Sequence, residues 1–187
     1  FAYEDYTVDF DFSRQTFMFA TTEGQTIFHA LMDRMERIDL QDYNVDELGK
    51  IVLIGLSDYE IDADALTEVA TVLRGNARAA QKMAGHIKTY LDGNGETHFT
   101  LDSWKQLQKQ KSILPLGLLE KELEILSILG RKKETRLTEL AAITCLSKAA
   151  IQRDYEMFLM KQGLMEIAPA GRSLTTRGHK YLRELVV

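Results

Sequence analysis

The chain has 187 residues, of which 45% are hydrophobic and 27% are charged, and its formal net charge is −5. This composition is that of a globular protein with a sizeable core, and it excludes a low-complexity or disordered chain. Because the overall balance is acidic, nucleic-acid binding has to come from a local basic patch. No apolar run approaches the roughly 20 residues of a membrane span.

The single cysteine, Cys145, excludes an internal disulfide and favours a reducing, cytoplasmic location. Its apolar neighbours predict a position in the core. The chain begins at Phe1 without the pattern of a signal peptide, so we expect a fragment of a longer protein.

The first forty residues predict part of an α/β domain. Residues 6–12 alternate apolar and polar side chains, as in a half-buried strand, and the apolar run 16–20 is typical of a strand covered on both faces. A helix over about 26–34 and a short strand at 37–40 follow. Thr22 comes just after the buried strand, where α/β folds place ligand contacts, although a polar residue there can also simply end a strand.

The next part of the chain predicts four helices. From about residue 44 to residue 110 apolar side chains recur every three or four positions, which is the helical period. Thr100 is a suitable cap for the last of these helices. The segment "SILPLG" at 112–117 then predicts a linker.

The last part predicts three helices and a hairpin, which is the order of a winged helix. Ser147 caps the third helix and Gly163 ends it. The turn sequence "APAG" between two extended stretches predicts the hairpin, with Ala170, Gly171 and Arg172 at its tip.

Basic residues cluster around this predicted wing, and they indicate contact with a nucleic-acid backbone. Arg172 is expected at the tip, Arg177 follows it, and Lys148 and Arg153 lie on the preceding helix. A protein-interaction wing or a plain surface turn fits the same pattern.

Two further arginines stand out. Arg34 in "LMDRMER" is compatible with a solvated helix charge. Arg78 in "RGNAR" begins a helix, where a positive charge opposes the helix dipole, which indicates an anionic partner, although a plain surface role fits the same position. The chain has no phosphate-loop motif and no metal-ligand spacing, so we predict neither a complete nucleotide site nor a metal site.

Taken in order, these segments resemble the second half of the RuvB-type Holliday-junction branch-migration ATPases of the AAA+ class. The resemblance is strongest over residues 150–178; "FMFATTEG" resembles the family's sensor-1 strand, "LMDRM" its arginine-finger segment and "VLRGNARAAQKM" its sensor-2 helix. It implies a mainly α fold with an α/β remnant. The implied domains are the end of the large ATPase subdomain over 1–43, a four-helix lid over 44–111 and a winged-helix DNA-binding domain over 112–187.

The resemblance also implies roles for individual residues. Thr22 would be sensor 1, Arg34 the arginine finger acting in a neighbouring subunit, and Arg78 sensor 2 on the nucleotide. Arg172 would contact the DNA backbone. The family's phosphate loop and Mg²⁺-binding motif lie upstream, so ATP and Mg²⁺ belong to the parent protein, and this chain is expected to be inactive by itself.

The implied function is that of an ATP-dependent DNA helicase or translocase, a homo-hexamer that moves duplex DNA at four-way junctions in recombination and repair. A RuvA-like partner docks on the hairpin before sensor 1 in this family, and that hairpin is short here. Ala170 stands where the family usually has a second arginine. Two alternatives remain: a winged-helix transcriptional regulator or adaptor, and another AAA+ DNA-processing ATPase such as a clamp loader or replication initiator.

Overall fold

The computed structural model describes residues 2–3, 6–7 and 11–185. The chain divides into two compact units, Phe1–Gln41 and Asp42–Val187. In the first unit the two-residue strands β1 (Ala2–Tyr3) and β2 (Tyr6–Thr7) pair antiparallel, and a 3-10 turn precedes the four-residue helix α1 (His29–Met32).

Most of the strands predicted for the first unit are wrong. Residues 16–20 and 37–40 belong to no strand and are exposed, with Met18 at 92%. A strand needs neighbours for its backbone N–H and C=O groups, and no strand pairs with either segment in the described part of the chain. Within the predicted strand 6–12, residues 8–10 lie outside the described residues. The predicted helix over 26–34 shortens to α1.

The second unit begins with four helices, which we call the helical module: α2 (Val45–Gly55), α3 (Ala63–Thr71), α4 (Ala77–Asn94) and α5 (Leu101–Lys111). Two-residue strands, β3 (Glu60–Ile61) and β4 (His98–Phe99), pair in parallel between them.

The caps of these helices follow local chemistry. The Thr100 side chain accepts a hydrogen bond from the backbone N–H of Ser103, as predicted. Helix α4 runs through Asn94 and ends at Gly95, whose φ of 68° is the left-handed conformation that glycine adopts readily. The inner faces form one core, which includes Leu48, Val52, Leu56, Val69, Val72, Leu73, Met83, Ile87, Tyr90, Leu91, Phe99, Trp104 and Leu107.

The remaining elements form the winged helix. Its helices are α6 (Glu120–Arg131), α7 (Leu137–Thr144), α8 (Lys148–Ala150), α9 (Met157–Lys161) and α10 (Thr176–Leu185), and its antiparallel strands are β5 (Met165–Ala168) and β6 (Gly171–Leu174). Helix α8 continues into α9 through a π-helical stretch, Ile151–Glu156. A second core fills this part, built from Leu118, Ile125, Leu126, Leu129, Leu140, Ile151, Leu159, Leu164, Met165, Leu174 and Tyr181.

The predicted mainly helical fold with a terminal winged helix is confirmed. Ser147 caps α8, and Gly163 follows the end of α9 with a φ of 64°, both as predicted. The core position of Cys145 is wrong: it ends α7 in a left-handed conformation and is exposed. Among the described residues no helix is both long and apolar enough to cross a bilayer.

Candidate nucleic-acid interface

The wing is a hairpin whose turn consists of Pro169 and Ala170, one residue earlier than predicted. Strand β6 pairs with β5 on one side, where Arg172 lies opposite Ile167. On its other side Arg172 pairs with Thr135, with N···O distances of 2.9 and 2.8 Å. The backbone of Arg172 therefore lies in the middle of three short extended segments.

The preceding residue, Gly171, has to be a glycine because its backbone lies very close to that of Thr135. A Cβ on Gly171 would lie 2.6 Å from the carbonyl oxygen of Thr135, which is too close for any side chain. The sequence Gly171-Arg172 thus reflects packing against the segment before α7.

The Arg172 guanidinium is held by a carboxylate. Its Nε donates to Oε1 of Glu156 at 2.8 Å and its Nη2 donates to Oε2 at 3.2 Å. The side chains of Arg172 and Glu156 are only 13% and 2% exposed. The predicted position of Arg172 at the wing tip is wrong: Arg172 is the second residue of β6, and it pairs with the buried Glu156, which requires a cationic partner. Its contact with DNA stays a prediction.

The other predicted DNA-binding cations are exposed. Lys148 begins α8, and Arg177 is the second residue of α10. Arg153 lies on the π-helical stretch, and its Nε donates to the adjacent Asp154 at 2.7 Å, a hydrogen bond that lowers the pKa of that carboxyl. All three side chains are exposed, and their role on DNA stays a prediction.

The residues predicted to sense nucleotide are distributed over both units. Thr22 and Arg34 belong to the first unit and are exposed. Arg78 belongs to the second unit, in the first turn of α4, where its backbone N–H donates to Oδ1 of Asn76 at 2.9 Å and its side chain is exposed. Their roles on a nucleotide stay predictions.

These residues suit phosphate oxygens only in part. A hydroxyl and two guanidinium groups are the right chemistry for phosphate, but the sequence contains no glycine-rich loop to cradle the α- and β-phosphates. Among residues 2–3, 6–7 and 11–185, no group of three or more His, Cys, Asp or Glu could hold a metal ion.

A second arginine–glutamate pair lies where the helical module meets the winged helix. Arg74, between α3 and α4, donates from Nη1 to Oε2 of Glu122 at 3.1 Å and from Nη2 to Oε1 at 2.9 Å. The Glu122 side chain is fully buried. Nearby, Tyr181 donates to the carbonyl of Pro115 at 2.8 Å; burial, and then the charge of Glu122, raises its pKa to about 12.

Sequence reasoning missed Glu122, Glu156 and Arg74. A signal was available for the two glutamates, because each lies on the apolar face of its helix: Glu122 is four residues before Leu126, and Glu156 is three residues before Leu159. A lone acid on such a face indicates a buried pair. The sequence does not indicate which arginine each acid pairs with.

The geometry has counterparts in known proteins. Residues 115–183 match the model of the RuvB C-terminal winged helix domain. The chain is 26% identical over 182 residues to the Holliday junction branch migration complex subunit RuvB of Nitratiruptor, covering 95% of this chain and 54% of that protein. It is 28% identical over 176 residues to the same subunit of Trichormus variabilis, covering 91% and 48%.

The fold of the chain is also similar to that of a solved RuvB structure. The Thermotoga maritima RuvB Holliday junction branch migration motor superposes with a TM-score of 0.68 at 26% identity, over 77% of this chain and 50% of that one. The predicted resemblance to RuvB is confirmed. The chain spans about half the length of the curated relatives it matches.

Proposed function

We propose that this chain is the C-terminal half of a RuvB-like AAA+ motor that moves duplex DNA for Holliday-junction branch migration in recombination and repair. The supporting observation is a winged helix packed on a four-helix module whose longest helix, α4, begins beside the exposed Arg78. A nucleotide-sensing lid attached to a DNA-contacting domain requires this combination.

The parts would divide the work as follows. Residues 1–43 end the large ATPase subdomain, with Thr22 as sensor 1 and Arg34 as a finger reaching a neighbouring subunit of a homo-hexamer. Residues 44–111 form the lid with Arg78 as sensor 2, and residues 112–187 bind DNA. ATP and Mg²⁺ belong to the complete motor, which we place in the cytoplasm; a RuvA-like partner would have only a short hairpin to dock on.

DNA contact would come mainly from the exposed cations of the winged helix. Lys148, Arg153 and Arg177 are exposed, although Arg153 donates two hydrogen bonds to Asp154, whereas Arg172 is mostly buried and donates two hydrogen bonds to Glu156. Each phosphate contact releases counterions, so it contributes about −0.9 to the slope of log affinity against log salt.

The experiment is fluorescence anisotropy of the chain with a labelled four-way junction, a matched duplex and an unrelated duplex across a salt series. We expect sequence-independent binding that is tighter for the junction and weakens with salt. Lys148→Ala and Arg177→Ala should each make the slope shallower by about 0.9. Lys105→Ala, an exposed lysine on α5, is the matched control and should leave the slope unchanged.

A strong preference for one duplex sequence would contradict the proposal and favour a transcriptional regulator. Equal affinity for junction and duplex would favour another AAA+ DNA-processing ATPase. We expect no ATP turnover from the chain by itself, and a turnover abolished by Arg34→Ala would contradict that expectation.

A further inference from the structure

The turn between α3 and α4 has an unusual backbone. Arg74 has a φ of 56° and the next residue, Gly75, has a φ of 74°, so two consecutive residues are left-handed. An arginine rarely adopts this conformation, and such a residue persists only where its surroundings hold it there. A Cβ on Gly75 would lie 2.6 Å from the Cβ of Asp42, so the turn is also packed tightly against the start of the module.

The left-handed backbone carries the Arg74 side chain to the winged helix. Its guanidinium forks onto Glu122 of α6, and its central carbon lies 3.4 Å from the ring centroid of Phe158 on α9. The Arg74 side chain remains only 25% exposed. One arginine of the helical module therefore contacts two helices of the winged helix, by a bidentate ion pair and by stacking.

The Glu122 carboxylate accepts three hydrogen bonds from described residues. Besides the two Arg74 donors, its Oε2 accepts the backbone N–H of Leu119 at 2.8 Å, which caps α6. A fully buried carboxylate depends strongly on its cation. The segment joining the two parts lies against the same turn: a Cβ on Gly117 would be 2.1 Å from the carbonyl oxygen of Val72.

The same turn also positions the start of α4. Asn76 accepts hydrogen bonds from the backbone N–H groups of Arg78 and Ala79 at 2.9 and 3.2 Å. Arg74 and Arg78 lie four positions apart in one tightly held segment. A displacement of the α4 N-terminus therefore has to move the Arg74 guanidinium, which is hydrogen-bonded to Glu122.

We infer that Arg74 is a positioning residue that clamps the α4 N-terminus to the winged helix, so that the helical module and the winged helix move as one rigid body. This inference rests on the proposed function for its purpose: movement of Arg78 on a nucleotide would be transmitted to the DNA-contacting domain. The clamp itself requires neither ligand, so it is tested without nucleotide or DNA.

The test is a distance distribution between two spin labels in the 187-residue chain. One label is attached to the native, exposed Cys145 in the winged helix and the other to Lys82→Cys on the exposed side of α4. We expect one narrow distribution for the parent chain and a broadened or split one for Arg74→Gln, with the helix content of both chains unchanged. Loss of stability alone does not broaden the distance within folded molecules.

The matched control is Lys161→Ala. It removes an ion pair between Lys161 of the winged helix and Asp42 at the start of the helical module, but both side chains are more than 60% exposed. Its distribution should stay narrow. If Arg74→Gln does not fold, the same distance is measured in Arg74→Lys. Lysine keeps a positive charge beside Glu122 but loses the bidentate hydrogen bonds and the stacking on Phe158, so the distance distribution should broaden partially.

A second measurement uses the only tryptophan, Trp104, which is buried in the helical module, together with a dye on Cys145. Both probes should report one urea midpoint in the parent chain and midpoints separated by about 1 M in Arg74→Gln. A narrow distance distribution and coincident midpoints in the Arg74 variants would overturn the inference. The DNA-binding series would be unaffected by that result, so the two proposals fail separately.

Discussion

The two arginine–glutamate pairs of the second unit use the same chemistry in two different places. Arg172 and Glu156 both belong to the winged helix, whereas Arg74 leaves the helical module to reach Glu122 in the winged helix. In both pairs a guanidinium forks onto a buried carboxylate. Such a pair therefore stabilises one module or joins two, depending only on where its partners lie in the chain.

The largest effect is expected from Arg172→Ala. It leaves Glu156 buried without a cation, so the free energy of unfolding should fall by about 3–5 kcal/mol. Urea unfolding followed by a dye on Cys145 measures this directly in the winged helix. If the free energy of unfolding fell by less than about 1 kcal/mol, Glu156 would not depend on Arg172, and Arg172 would remain a candidate for DNA contact.

Arg74→Ala should cost less, about 2–3 kcal/mol, because Arg74 is more exposed than Arg172 and water partly replaces it beside Glu122. Urea unfolding of Arg74→Ala is followed with both Trp104 and the dye on Cys145. We expect the two urea midpoints to separate in Arg74→Ala and to remain together in a variant that breaks no contact between the modules. If both probes reported the same loss of stability and the same urea midpoint in Arg74→Ala, the Arg74–Glu122 pair would not be what joins the two modules.

The ionisation of Tyr181 makes stability depend on pH near the Arg74–Glu122 pair, because its pKa is raised by burial and by the charge of Glu122. Its pKa in the folded protein is about 12 and its ordinary value is 10, so its contribution is fully present below pH 10 and is lost as the pH rises towards 12. Tyr181→Phe should remove this loss and cost about 1 kcal/mol at pH 7 for the missing hydrogen bond to Pro115.

Burial is the main cause of the raised Tyr181 pKa and the charge of Glu122 adds to it, so Glu122→Gln should lower the Tyr181 pKa and Glu156→Gln should not. Ultraviolet titration of the folded protein near 295 nm measures this. A shift with Glu156→Gln in place of Glu122→Gln would show that the assignment of the two environments is wrong.

The smallest effect is expected from Lys161→Ala, which breaks an exposed pair across the same boundary that Arg74 bridges. Lys161 and Asp42 are 62% and 63% exposed, and such pairs contribute under about 1 kcal/mol. Thermal unfolding of Lys161→Ala beside Arg74→Ala tests whether burial, and not position at the boundary, determines the strength of the contact. A loss as large as that of Arg74→Ala would refute this explanation.

Much of the second unit could be predicted because its signals are local. The apolar period of α2 to α6, the caps Thr100 and Ser147, and the hairpin turn all depend on residues within a few positions of one another. The first unit could not be predicted in the same way. An apolar run such as 16–20 becomes a strand only beside other strands, and in the described part of the chain none pairs with it.

The candidate site shows the same division. Sequence and resemblance pointed to Arg172 and Arg78, and placed both near the ends of the right elements. They did not indicate that Thr135 and Glu156 would enclose Arg172, because these residues are 37 and 16 positions away along the chain. Lys148 and Arg177 are exposed, and their predicted contact with DNA stays a prediction.

The helices of the second unit, the caps Thr100 and Ser147, the hairpin and the order that resembles RuvB follow from the sequence, because each arises from short-range periodicity and turn chemistry. Which arginines are bound to buried acids depends on the tertiary structure. A buried carboxylate attracts whichever guanidinium the fold brings within reach, and that choice depends on residues distant in the chain.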